Sequence, residues 1–188
     1  MKDHQLIEFF LGLRPPEGAR AELLRRTIFI TPPPDVVHDE NLAAVVDQLP
    51  RTRGAPLGNR PVDMLEDVSV PVPDAVVVEH DALAPGSMVP SASVAGVVEV
   101  VSRRSVERDY AVKPSIYAAA GVPAYLIVDP LAGLCLLLAE PAGEGEYAGY
   151  RWQRGAEFGE RMPLEPFGVA LDTTGFGRHK NVRPHRYP

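Results

Sequence analysis

One carboxylate stands inside the most apolar stretch of the chain: Glu99 interrupts the run Ala95-Gly96-Val97-Val98-Glu99-Val100-Val101. A strand with one wet face alternates apolar and polar residues, so near-continuous valine reads as a strand covered on both faces. Ala75 to Val78 and Tyr125 to Val128 have the same character. Between the last two of these runs, Ser105 to Ala120 reads as a crossover helix, with Val106, Tyr110, Ile116 and Tyr117 facing the core and Gly121 closing it. The expected fold class is therefore α/β. A carboxylate inside such a sheet costs several kcal/mol unless it is paired, protonated or metal-bound, which makes Glu99 the most informative residue of the chain.

The chain is 188 residues long, 45% hydrophobic and 23% charged, enough to build one domain spanning residues 1–188 around a real core. No apolar run approaches the roughly 20 residues that cross a bilayer, and MKDHQLIEFF lacks the layout of a secretory signal. A cytoplasmic protein without a membrane partner is expected. The single cysteine, Cys135, has no intrachain partner and lies in the apolar run GLCLLLA, so a core hydrophobe is favoured over a nucleophile. A net charge of -6 argues against a protein that coats nucleic acid indiscriminately. Two basic patches run against that trend: residues 102–113, with Arg103, Arg104, Arg108 and Lys113, carry net +2, and the tail 178–188 carries net +4. A solvated basic tail is the favoured reading of the second patch.

Elsewhere, Asp3 to Leu13 reads as an amphipathic helix stopped by Pro15-Pro16, and Ala21 to Thr31 as a strand or hairpin closed by Pro32-Pro33-Pro34. A second helix is expected over Asp39 to Leu49. Weak strand signals lie at Val62 to Leu65 and Val68 to Val72, and a loop rich in Pro, Gly and Ser covers Leu83 to Ser93. Asp129-Pro130-Leu131-Ala132 turns the chain into a hairpin strand over Gly133 to Ala139, a further strand is expected at Tyr150 to Gln153, and the carboxyl end reads as irregular.

Motifs for phosphate-binding loops, dinucleotide folds, zinc sites and serine elbows are all absent. The histidines at 4, 38, 80, 179 and 185 are scattered, and surface or structural roles are favoured for them over a metal site or general base. What remains is a set of carboxylates at strand ends. Asp74 precedes Val76-Val77-Val78, Glu99 lies in the next apolar run, and Lys113 sits on the helix that packs back onto the same sheet. Two carboxylates and a backbone carbonyl make an adequate half-site for magnesium, and a phosphodiester would supply further oxygens. An ammonium nearby would stabilise charge developing on phosphorus. Alternatively, Asp109 and Lys113, at i and i+4, form only a surface ion pair worth roughly 0.3–0.5 kcal/mol.

The order PDAVVV, GVVEVVS, RDYAVKPSIYAAAGVPAYLIVDP, preceded by PEGARAELLRRTIFITPPPDVVHDE, resembles the Uma-type restriction endonuclease family, a branch of the PD-(D/E)XK nuclease superfamily. The resemblance covers about residues 15 to 140. It implies a restriction-endonuclease-like mixed central sheet flanked by helices, a homodimer, DNA as partner, and Mg2+ or Mn2+ as cofactor. It also implies Asp74 and Glu99 as metal ligands with the backbone carbonyl of Val100 as a third, Glu22 as a helper acid, and Lys113 as the catalytic lysine. Asp109 and Tyr117 match further family positions.

Three departures stand out. Val101 occupies the place where the superfamily usually has its lysine, ELLRRTI replaces the usual ELIDGEI so that Arg26 and Thr27 stand where a turn glycine and an acid are expected, and Pro114 follows Lys113. Proline disfavours helical geometry at the preceding residue, so the helix is expected to begin late, near residue 111, or to kink there. A metal-dependent DNA endonuclease is the leading reading. The alternatives are a nuclease-fold module that binds nucleic acid or a protein without cutting, and a structural oligomer whose carboxylates pair with Arg103 or Arg104.

Overall fold

The computed structural model describes residues 2–50, 56–78, 88–182 and 185–187. His80, Arg183 and the part of the Leu83 to Ser93 loop up to residue 87 lie outside the described residues.

A six-stranded mixed sheet forms the centre. Its strands are β3 (Leu57–Gly58), β5 (Ala75–Val78), β7 (Val94–Val100), β8 (Ala124–Asp129), β9 (Leu134–Ala142) and β10 (Gly149–Glu157), in the spatial order β10-β9-β8-β7-β5-β3. Only β7 and β8 run parallel. A parallel pair needs a crossover, and the chain supplies it as a helical run from Val106 that ends in α3 (Lys113–Ala119). Gly121 follows with φ +72°, the left-handed conformation that closes a helix at no steric cost.

Both sheet faces are dry, as the valine runs require. On one face Ala75, Val77, Val98, Val100, Leu126 and Val128 pack under α2 (Val36–Val46) and under a hairpin of β11 (Arg161–Leu164) and β12 (Val169–Asp172). On the other, Val76, Val97, Tyr125 and Ile127 pack against Ile116 and Tyr117 of α3. A third, smaller cluster joins Leu6 and Phe10 of α1 (Asp3–Gly12) to Leu23 and Val70. Leu23 belongs to β1 (Arg20–Leu24), which pairs with β2 (Thr27–Thr31) and is tied to residue 70 by backbone hydrogen bonds. A short parallel pair of β4 (Val62–Asp63) and β6 (Val89–Pro90) completes the strands.

Several expectations are corrected. The second helix starts at Val36 instead of Asp39, because the Asp35 carboxylate accepts a hydrogen bond from the His38 backbone N–H and caps the helix directly after the proline run. Val68 to Val72 forms only isolated bridges, and the carboxyl end is not irregular, since Met162, Leu164 and Leu171 carry enough apolar surface to fold a hairpin onto the sheet. The α-helix proper begins only at Lys113, but the residues before it are already helical and not a loop. Arg108–Val112 is instead wound as a π-helix that continues into α3. The wider turn accommodates a proline that lacks an N–H and whose ring would otherwise press on the carbonyl of Tyr110. Nor is the tail simply solvated: Arg178 donates to the Gly133 carbonyl and lies over the Phe158 ring, and His185 reaches Asp129 Oδ2 at 2.5 Å.

Candidate active site

The antiparallel register of β5 and β7, which pairs Ala75 with Val98, brings Asp74 beside Glu99 across 25 residues of sequence. Glu99 shares the face of Val97, so it points toward α3. There its Oε1 accepts from Lys113 Nζ at 2.8 Å and from the Tyr117 hydroxyl at 2.7 Å. Lys113 Nζ also lies 3.2 Å from Glu22 Oε1 and 3.4 Å from Asp109 Oδ1. Glu22 is placed by β1, and its Oε1 takes the backbone N–H of Val72 at 3.0 Å. The four residues singled out from sequence, Asp74, Glu99, Lys113 and Glu22, thus converge, each no more than 2% exposed. The Asp109–Lys113 pair is buried and not on the surface, a correction that follows from the π turn aiming Asp109 inward.

Asp74 is held differently. Its Oδ1 accepts from Arg20 at 2.7 Å, while Oδ2 accepts from His38 Nε2 at 3.1 Å and from the Val100 backbone N–H at 2.8 Å. In an extended strand the N–H and C=O of one residue point to the same edge, so the Val100 carbonyl is aimed toward Asp74 as well. Arg20 also donates to Asn59 Oδ1. Reading the sequence missed Arg20 and His38. Arg20 was reachable, because it stands two residues before Glu22 on one strand and so shares its face. For His38, one of five scattered histidines, the sequence carries no comparable signal. Neither Arg103 nor Arg104 pairs with these carboxylates among the described residues, against the oligomer reading; Lys113 and Arg20 do so instead.

Charge is out of balance in this cluster. Four buried carboxylates, Glu22, Asp74, Glu99 and Asp109, face two permanent cations, Arg20 and Lys113. Burial therefore pushes Glu99 up to about 8 despite Lys113, with Asp74, Asp109 and Glu22 adding repulsion. Asp109 moves upward for the same first reason, burial. Burial also opposes ionisation of Asp74, but the hydrogen bond from His38 and the charges of Arg20, His38 and Lys113 outweigh it and hold that carboxyl far below its usual range. Lys113 loses to burial and gains more from Glu22, Glu99 and Asp109, so its ammonium is firmly protonated. Glu22 Oε2 has no hydrogen-bond donor, and Asp109 Oδ1 has only the Lys113 ammonium at 3.4 Å.

An excess of buried negative charge is what a divalent cation would relieve, and the donor set is all oxygen, as magnesium or manganese prefers. No three His, Cys, Asp or Glu side chains are gathered as a metal cage among the described residues. Asp74 and Glu99, with the Val100 carbonyl and waters, need only two. These residues line one cavity of about 520 Å³, together with Arg20, His38, Lys113 and Asp109.

The sequence model of the Uma2 family, described as "Putative restriction endonuclease", matches residues 7–174. The chain belongs to the Uma2 family. A solved structure from Anabaena variabilis, described as "a putative nuclease belonging to DUF820", superposes with a TM-score of 0.63 at 15% identity, covering 91% of this chain and 96% of that one. At that identity the likeness speaks for the fold alone. No curated protein matches the chain. No helix among the described residues is long and apolar enough to cross a membrane.

Proposed function

We propose that this Uma2 chain is a metal-dependent endonuclease that hydrolyses DNA phosphodiester bonds. The observation that carries the reading is the buried excess of carboxylate around Lys113, which an apolar fold retains only at a cost of several kcal/mol. Asp74, Glu99 and the Val100 carbonyl would hold Mg2+ or Mn2+. The ion would supply Lewis-acid neutralisation of phosphate charge and a water acidified toward neutral pH. Lys113 holds its ammonium beside Glu99, from where it would donate to an oxygen of the reacting phosphate or orient the attacking water. Tyr117 fixes Glu99, and Arg20 and His38 fix Asp74, so that the two carboxylates keep their orientation. Glu22 and Asp109 also pair with the lysine.

Calorimetric titration of manganese into the purified protein, with Glu99→Ala alongside, tests the site. Binding by the wild type that the substitution abolishes, followed by manganese-dependent nicking of plasmid DNA lost in the same variant, is the expected result. Nicking undiminished in Glu99→Ala would sink the proposal.

A further inference from the structure

The cavity has two unlike walls. One is built from Gly18, Ala19, Pro32, Pro33 and Pro34 together with the exposed acids Asp35 and Asp39, and its basic side chains, Arg20 and His38, are both engaged by Asp74. The other carries Arg103, Arg104 and Arg108, in a chain whose net charge is -6. Among the described residues these three arginines form no ion pair, whereas Arg20 and Lys113 in the same cavity are bound to carboxylates. Arg108 is held in place, its guanidinium 4.9 Å from the centre of the Phe29 ring, and its buried Nε has no acceptor. A buried donor without an acceptor costs about 1–3 kcal/mol, which an anionic oxygen would recover. Arg103 and Arg104 are exposed while Asp74, Glu99 and Lys113 are buried, so the cavity leads from free guanidinium groups to the carboxylates.

We infer that Arg103, Arg104 and Arg108 form a clamp for the phosphates of a nucleic-acid strand, seating its backbone on this wall so that one phosphodiester reaches Asp74 and Glu99. The inference rests on the nuclease reading for its purpose but not for its measurement. Guanidinium groups suit the task because their forked donors match phosphate oxygens, and three of them supply local positive charge beside the cavity in an acidic protein. The clamp also explains how a chain with this net charge approaches a polyanion at one face only.

The test is fluorescence anisotropy of a labelled oligonucleotide, single-stranded and duplex, titrated with full-length protein in EDTA, where no metal-dependent cleavage occurs. The variant replaces Arg103, Arg104 and Arg108 with Gln; the control makes the same charge change at the exposed Arg151, Arg161 and Lys180, which lie outside the cavity. Affinity for at least one oligonucleotide is expected to fall about tenfold or more in the clamp variant. The slope of log K against log salt should shrink by about 2 to 3, since each neutralised phosphate contributes roughly 0.7–0.9. The control should keep both values. Manganese titration reads the carboxylate site separately and should be unchanged in the clamp variant, which also shows that the variant is folded. A clamp variant with wild-type affinity and slope, a control that loses as much, or a wild type that binds neither oligonucleotide overturns the inference. Lost manganese binding in the wild type would instead strike the proposed metal site and leave the strand-binding result standing.

Discussion

Lys113 compensates carboxylates from three separate elements: Glu22 of β1, Glu99 of β7 and Asp109 of the π turn. Replacing it with methionine leaves those charges buried without a counter-ion, so Lys113→Met is expected to lose about 3–5 kcal/mol in urea denaturation. Adding Glu99→Gln should return part of that loss, because the two sites share one network and are not additive. Proton linkage gives a second expectation. Glu99 is raised to about 8 from an ordinary value near 4.5, so the folded state binds the extra proton between those limits. Metal-free stability due to Glu99 is then fully present below about pH 4.5 and is lost as pH rises toward 8. Thermal melts across that range should slope downward in the wild type and flatten in Glu99→Gln. Asp74, held low, contributes in the opposite sense: its stabilisation is present above its ordinary range and is lost only in strong acid. At this scale the sequence was most readable where chemistry clashes with setting. A glutamate among valines announces itself, whereas Arg20 and His38 look ordinary until the fold brings Asp74 to them.

Among the elements, the β1–β2 hairpin shows what the departure at ELLRRTI does. Leu24 pairs with Thr27, so Arg25 and Arg26 form a two-residue turn, with φ of 44° and 68°. That turn favours glycine or asparagine, and arginine there pays about 1 kcal/mol in backbone strain. The hairpin nonetheless keeps its register and delivers both Arg20 and Glu22 to the site. In an Asp3→Ala background, which removes the exposed ion pair of Arg26, Arg26→Gly should raise stability by about 1 kcal/mol in urea denaturation. Strands and the crossover were legible because burial on both faces writes itself as unbroken valine. The β11–β12 hairpin was not, because its strands are four residues each and are defined by packing onto the sheet and not by pattern. The π turn was legible only as a conflict, proline against helix, whose resolution depends on how the carbonyl of Tyr110 is freed.

Across the whole molecule, the carboxyl-terminal segment returns to the same side of the sheet as the crossover. Asp129 is fully buried and its Oδ2 receives both the Tyr110 hydroxyl and His185, while the Tyr187 ring stacks on Tyr110 at 5.5 Å. The segment is thus a strut for the helical run that carries Asp109 and Lys113. His185→Ala is expected to cost about 1 kcal/mol in thermal or urea denaturation, as loss of a side-chain hydrogen bond does. The salt slope of DNA binding should stay unchanged, since the positive charge that matters is assigned to the cavity wall. The single ammonium at the centre has a longer consequence. Hairpin, sheet and crossover are fastened to one another at Lys113, so the ammonium proposed to assist chemistry is also the rivet of the fold. In relatives of this chain, drift would be expected to reach the cavity arginines well before it reaches Lys113 and its three acids: guanidinium groups at the surface can be lost freely, whereas the rivet cannot be withdrawn without loosening everything it joins.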